Sequence, residues 1–88
     1  MYKFFSNSLI REYSRGANVR WLKITYGLTD REIEVIALIA RGLTYKEIAE
    51  FIHISPETIR KDQEKIKEKI NVDRLPQVGV FAAKNNLI

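Results

Sequence analysis

The stretch 42–70 contains two helical patterns separated by only a few residues, and each pattern has its own start signal. In the first, Thr44 can cap the helix, and Glu47, three residues later, completes a capping box. In the second, Ser55 can cap, and Pro56 takes the first helical position, where its missing N–H leaves no hydrogen bond unmade. Two helices this close together predict a helix-turn-helix.

Apolar residues lie on only one side of each of these two helices. The first, short helix has the stripe Ile48, Ala49 and Ile52, and the second, longer helix has the narrow stripe Ile59, Ile66 and Ile70. At about 100° per residue, the opposite face of the long helix carries Glu57, Lys61, Glu64 and Glu68, flanked by Arg60 and Lys65. On a solvated surface these charges predict the i,i+4 pairs Glu57–Lys61 and Arg60–Glu64. Such a helix can rest on a core and still present most of its surface to a partner.

A helix on either side completes a predicted four-helix domain. The earlier one has Thr29 as its cap, acidic residues in its first turns and Gly42 at its end. Its predicted core residues are Leu28, Val35, Ile36, Ile39, Ala40 and Leu43. The last helix is expected to begin near Asp73, whose carboxylate can cap it, and to run to about Asn85.

Five short motifs in register resemble one known family. They are Leu28-Thr29-Asp30-Arg31-Glu32, Glu34-Val35-Ile36, Gly42-Leu43-Thr44-Tyr45-Lys46-Glu47-Ile48-Ala49, Ile54-Ser55-Pro56-Glu57-Thr58-Ile59-Arg60 and Lys69-Ile70-Asn71-Val72. Together they look like the LuxR/FixJ (NarL)-type helix-turn-helix DNA-binding domain, over residues 28–88. Region 4 of sigma factors resembles the part from Gly42 to Arg60 almost as well. The turn at 69–72 and the helix after it favour the LuxR/FixJ type.

This resemblance implies an all-α domain that binds double-stranded DNA and regulates transcription in a sequence-specific way. By the same resemblance, Arg60, Lys61 and Glu64 approach base edges, while Thr44, Lys46, Thr58 and Lys69 hold phosphates. The full set of expected DNA-binding residues is Thr44, Tyr45, Lys46, Ser55, Thr58, Arg60, Lys61, Glu64, Lys65 and Lys69. Two positions depart from the family: Asp62, where histidine is common, and Glu64, where the residue is often basic or small. Carboxylates there repel phosphates, although an acid can accept a hydrogen bond from the N4 amine of cytosine.

Residues 1–27 form an N-terminal arm that is both basic and aromatic. The arm holds six of the nine aromatic residues, and five basic side chains against one carboxylate give it a net charge of +4. Asn7 or Ser8 could start a helix that runs to Arg15, and Asn18 could start another that runs through Tyr26 and is closed by Gly27. The stretch 22–26 also alternates like a strand, but we favour the helix. The arm could clamp nucleic acid, or its aromatics could extend a small core. Because Ile33 and Ala37 are apolar where the family is usually polar, we expect the arm to cover them.

Residues 28–88 carry ten basic and ten acidic side chains, so the predicted DNA-binding domain has no net charge. Non-specific DNA affinity depends on neutralised phosphates, so this domain needs help from the arm or from a second subunit. The neutral charge also supports a second hypothesis, a protein-interaction module that binds another regulator or RNA polymerase.

A homodimer joined through residues 76–86 would double the phosphate contacts. The expected interface residues are Val78, Phe81, Ala82 and Asn85. Val78 and Ala82 can also face the core of their own chain, which would leave Phe81 for the second copy. In the alternative arrangement, Phe81 packs on Trp21 or Tyr26 of the arm.

Other function classes lack the residues that they need. The chain has no cysteine, and its single histidine, His53, has no catalytic partners at a recognisable spacing. We therefore expect His53 to be a turn residue, and we expect no enzyme activity, no cofactor and no metal. No run of residues is apolar enough for a membrane span, and we expect a cytoplasmic protein. Because the sequence begins at Met1, we also expect a regulator without its own sensor domain.

Overall fold

The computed structural model describes residues 18–88. Over this range the chain forms five helices and no strand. They are α1 (Val19–Tyr26), α2 (Asp30–Ala40), α3 (Tyr45–Ile52), α4 (Pro56–Lys69) and α5 (Leu75–Lys84). The predicted all-α domain, with four helices after residue 28 and at least one in the arm, is confirmed. The helix expected from Asn7 or Ser8 to Arg15 lies outside the described residues.

The caps of α2, α3 and α4 are those predicted. Thr29 Oγ1 accepts from the backbone N–H of Glu32 at 3.1 Å, and Glu32 Oε1 accepts in return from the N–H of Thr29 at 2.9 Å. Thr44 and Glu47 repeat this reciprocal pair at 3.2 and 2.8 Å. Ser55 Oγ accepts from the N–H of Thr58 at 3.2 Å, directly before the proline that opens α4. Each cap satisfies backbone donors that a helix start would otherwise leave unpaired.

The arm supplies α1, which is helical where the sequence also allowed a strand. Asn18 Oδ1 accepts from the N–H of Trp21 at 2.9 Å, and Gly27 ends the helix at φ +70°, a left-handed conformation that glycine adopts without strain. Leu22 is 1% exposed, whereas Ile24 is 73% exposed. The strand alternative is therefore wrong, because the helix buries one side of the segment 22–26 and leaves Ile24 in solvent.

The start of α5 differs from the prediction. Asp73 does not cap it; instead the Gln77 side chain reaches back, and its Oε1 accepts from the N–H groups of Asp73 and Arg74 at 2.9 and 2.8 Å. Arg74 occupies the cap position with extended backbone, at φ −129° and ψ 150°. The glutamine at the third helical position thus pairs the N–H groups of the cap residue and of the residue before it, and the helix begins at Leu75 without a capping carboxylate.

Helix α2 is the centre of the core. Seven consecutive residues, from Glu32 to Leu38, are buried, and the helix packs most extensively on α5, while α3 packs on α4. Ile33 and Ala37 are 1% and 3% exposed, and Leu22 of α1 belongs to the same buried cluster as Ile33. Leu22 thus joins α1 to the buried cluster around α2.

Tyr26 of α1 packs against the core beside α5. The rings of Tyr26 and Phe81 meet edge to face with centroids 5.1 Å apart, and Trp21 meets Tyr26 in the same way at 5.8 Å. The expectation that Phe81 is left for a second subunit is therefore wrong, and the alternative, in which it packs on the arm, is found. Val78 and Ala82 are both fully buried within the chain, so neither can form a dimer contact.

No helix among residues 18–88 is long and apolar enough to cross a membrane.

Candidate nucleic-acid interface

Helices α3 and α4 and the turn between them form a helix-turn-helix. Ile48, Ile52 and Ile59 are fully buried and hold the two helices together. The turn closes when the N–H of Ile54 bonds to the carbonyl oxygen of Ala49 at 3.0 Å, with His53 in the left-handed region at φ +60°. His53 is thus a turn residue, as predicted, and the geometry fixes the angle at which α4 leaves the core.

The face of α4 opposite its buried isoleucines is open to solvent. Its exposed residues are Glu57, Arg60, Lys61, Glu64, Lys65 and Glu68. The expected pairs Glu57–Lys61 and Arg60–Glu64 do not form. Instead, Glu64 lies 3.1 Å from Lys67 Nζ, and the guanidinium of Arg60 lies over the ring of Tyr45, 5.7 Å from its centroid. This cation–π contact with Tyr45, the first residue of α3, orients the Arg60 side chain on the surface.

A shallow groove of about 370 Å³ runs between the start of α3 and the exposed face of α4. It is lined by Tyr45, Glu57, Arg60, Lys61, Gln63 and Glu64. Four of the residues that the sequence assigned to DNA binding, Tyr45, Arg60, Lys61 and Glu64, therefore meet in one concave site. The groove combines two basic side chains with two carboxylates, an arrangement that can both donate and accept hydrogen bonds.

The polar residues at the helix starts lie beside this groove. The hydroxyl groups of Ser55 and Thr58 are 2.8 Å apart, and Thr44 is exposed at the start of α3. Lys46 and Lys65 are exposed on α3 and α4. Hydroxyl groups and amides at a helix N-terminus are favourable for anionic oxygens, because the helix dipole points its positive end there.

Asp62 does not lie on the exposed face. It is 3% exposed, and its carboxylate binds Arg31 of α2: Nη2 donates to Oδ1 at 2.9 Å, and Nε lies 2.8 Å from Oδ2. The sequence interpretation, in which Asp62 repels phosphates, is wrong, because the side chain points into the protein and its charge is paired. One hydrogen bond and one further ion-pair contact thus hold the Asp62 carboxylate against Arg31.

Lys69 is also occupied by the protein itself. Its Nζ lies 2.7 Å from Glu32 Oε1 and donates to the carbonyl oxygen of Gly27 at 2.8 Å. We therefore do not assign it a phosphate. Lys69 follows Asp62 by two helical turns, so the two residues fasten the middle and the end of α4 to the neighbouring residues Arg31 and Glu32 at the start of α2.

Sequence reasoning missed Arg31 and Glu32 as residues that position α4. The sequence marks them only by the order of charges on the two helices. On α4 the acid Asp62 precedes the base Lys69 by seven residues, and on α2 the base Arg31 directly precedes the acid Glu32. That pattern has meaning only once the two helices are known to be in contact.

Comparison with known proteins agrees with this geometry. The family described as "Bacterial regulatory proteins, luxR family" matches residues 26–82. The transcriptional regulatory protein LiaR of Bacillus subtilis is 39% identical over 61 residues, which cover 69% of this chain and 29% of LiaR. The response regulator protein VraR of Staphylococcus aureus and that of Staphylococcus epidermidis are each 38% identical over the same lengths.

The chain spans 29% of the length of these relatives. No solved structure matches it. The family match covers well over half of the sequence and includes all of α2, α3 and α4. The chain therefore belongs to the luxR family of bacterial regulatory proteins, through a helix-turn-helix domain.

Proposed function

We propose that this protein is a sequence-specific DNA-binding regulator of transcription, which acts through α3 and α4. The observation that carries the proposal is the position of α4: one face is sealed by Ile59 and Ile66, and the opposite face is polar and unobstructed. In a helix-turn-helix protein, the second helix enters the major groove in this orientation. The relatives named above include one described as a transcriptional regulatory protein and others described as response regulators. DNA in a bacterium lies in the cytoplasm, which is the proposed place of action.

Within this proposal the exposed residues take two kinds of role. Arg60, Lys61 and Glu64 read base edges from the groove. The phosphate contacts come from the side chains around it: Thr44, Lys46, Ser55, Thr58 and Lys65. Tyr45 holds Arg60 in place by stacking.

Selection of bound sequences from a random duplex pool tests the proposal. We expect the wild type to enrich one site. Arg60→Ala should relax specificity at one base position and weaken binding to the selected site by about 1–3 kcal/mol, because alanine cannot make a bidentate hydrogen bond to guanine. Lys46→Ala is the matched control; it removes a charge from the same surface and should weaken all sequences alike. Equal, sequence-independent weakening by both variants would contradict the assignment.

We also propose a homodimer, joined through the outer surface of α5. Val80 is 54% exposed and borders a shallow groove of about 280 Å³ with Val72, Gln77, Phe81 and Lys84. Because Phe81 already packs on Tyr26, the side chain offered to a second copy is Val80 and not Phe81. Two copies on neighbouring half-sites double the phosphate contacts of a domain that has no net charge.

Sedimentation equilibrium at tens of micromolar tests the dimer. We expect a wild-type dimer and a monomeric Val80→Asp variant, because a charge at the centre of an apolar contact is not compensated. Ile24→Asp places the same charge at an exposed apolar position of α1 and should leave the dimer intact. A monomeric wild type, or a dimer that tolerates Val80→Asp, would exclude this interface.

A second candidate function is a protein-interaction module that binds RNA polymerase or another regulator. Phe51 is 42% exposed on α3 and lines a shallow groove together with the exposed carboxylates Glu47 and Glu50, and this surface suits an apolar and basic partner. A gel-shift series with random duplex at low and moderate salt separates the two functions. DNA binding predicts an affinity that falls steeply with salt, whereas an interaction module predicts little affinity at any salt concentration.

A further inference from the structure

Glu64 is a carboxylate at a position where a DNA-binding helix is expected to avoid one. Its side chain is 73% exposed and lines the same groove as Arg60 and Lys61. A negative charge that enters the major groove is repelled by the phosphates on both sides. A carboxylate is therefore compatible with a DNA-binding groove most readily if it accepts a hydrogen bond from a base.

The ion pair of Glu64 with Lys67 does not withhold it from DNA. The contact is an i,i+3 pair at 3.1 Å on the surface, with the carboxylate largely in water. Such exposed pairs contribute little stability and exchange readily for another partner. The carboxylate oxygens of Glu64 can thus turn toward a hydrogen-bond donor in the groove.

Among the base edges of the major groove, the donors are the N4 amine of cytosine and the N6 amine of adenine. Adenine also presents the N7 acceptor next to its amine, which repels a carboxylate and suits an amide side chain instead. A glutamate therefore selects cytosine. Arg60, held over the Tyr45 ring, presents two parallel donors that match the O6 and N7 acceptors of guanine.

Position 60 lies four residues before position 64, a separation of about 6 Å along α4 at the helical rise. Successive base pairs are about 3.4 Å apart. The two side chains thus reach base pairs that are one or two steps apart. Resting on the proposed function, we propose that the groove reads a G·C-containing half-site, in which Arg60 selects a guanine and Glu64 selects a cytosine one or two base pairs away.

The test uses the whole 88-residue chain and selection from a random duplex pool. The wild type is expected to enrich a site with a cytosine one or two base pairs from a guanine. Glu64→Gln should reduce the preference for that cytosine by about tenfold and raise the preference for adenine, which the amide can pair with bidentately. Glu68→Gln is the control: it removes an exposed carboxylate from the last turn of the same helix, outside the groove, and should select the wild-type site.

Chemical modification of the selected duplex gives an independent measurement. A methyl group on N4 of the critical cytosine replaces the proton that points into the major groove. It should weaken wild-type binding by about tenfold and leave the Glu64→Gln variant unchanged. If Glu64→Gln selects the same base as the wild type at every position, the inference is overturned, although DNA binding stands. If the wild type binds no duplex even at low salt, the proposed function is overturned together with it.

Discussion

At the scale of single residues, the pair between Arg31 and Asp62 is unequal. The side chain of Asp62 is 5% exposed, whereas that of Arg31 is 36% exposed. Removal of the arginine leaves a buried carboxylate without its counter-charge, while removal of the aspartate leaves a guanidinium that can turn to water. The two truncations therefore differ in their effect on stability, even though they break the same ion pair.

We expect Arg31→Ala to lower the free energy of unfolding by about 2–3 kcal/mol and Asp62→Ala to lower it by about 1 kcal/mol. Both values are below those for fully buried ion pairs, because Arg31 is partly solvated. Urea denaturation measures both. Asp30→Ala is a control: it breaks the exposed pair with Lys23, whose side chains are 56% and 40% exposed, respectively, and should change stability by less than about 1 kcal/mol. Equal effects of Arg31→Ala and Asp62→Ala would show that burial of the carboxylate is unimportant.

At the scale of helices, α1 belongs to the core of the domain although the family match begins only at residue 26. Leu22 is buried in the main cluster, and Tyr26 packs edge to face on Phe81 of α5. The second half of the arm, which forms the eight-residue helix α1, is thus attached to the domain by apolar contacts. A helix this short is marginal in water without such packing.

Two aliphatic residues on α1 allow a matched measurement of this attachment. Leu22→Ala should destabilise the protein by about 2–4 kcal/mol, since it opens a cavity in a closed core. Ile24→Ala lies two residues away on the exposed side and should change stability by no more than about 0.5 kcal/mol. Thermal or urea unfolding of both variants is sufficient. A small effect of Leu22→Ala would mean that α1 is only loosely docked on the other helices.

At the scale of the whole molecule, the charge is distributed unevenly. The sequence has a net charge of +4, and all of this excess lies in residues 1–27. Within the described part of the arm, Lys23 is paired with Asp30 at 2.6 Å, while Arg20 is exposed. If the arm contributes phosphate contacts, the salt dependence of DNA binding should report them, because each neutralised phosphate releases a counter-ion.

We expect replacement of Lys3, Arg11, Arg15 and Arg20 by glutamine to reduce the log–log salt slope by about 0.9 for each phosphate that is no longer neutralised. Lys23→Gln is the control, since its charge is already compensated by Asp30. Substitution is preferable to deletion of residues 1–26, because deletion would remove Leu22 and Tyr26 from the core. An unchanged slope in the four-residue variant would assign the arm a purely structural role.

The sequence by itself determined the helices and their order. Caps such as Thr29, Thr44 and Ser55, and the periodic isoleucines of α3 and α4, act within a few residues of the chain, so they can be read without the fold. It also identified the family and the exposed face of α4. Local signals favoured the helix found at 22–26 over a strand, but they failed at the cap of α5.

Only the tertiary structure decided which partners the charged and aromatic side chains near the core meet. Asp62 and Lys69 resemble their exposed neighbours on α4 in sequence, but their partners on α2 lie 31 and 37 residues away. The packing of Phe81 on Tyr26 likewise joins residues at opposite ends of the described chain. The roles of these residues depend on contacts between distant segments, and helix periodicity carries no information about those contacts.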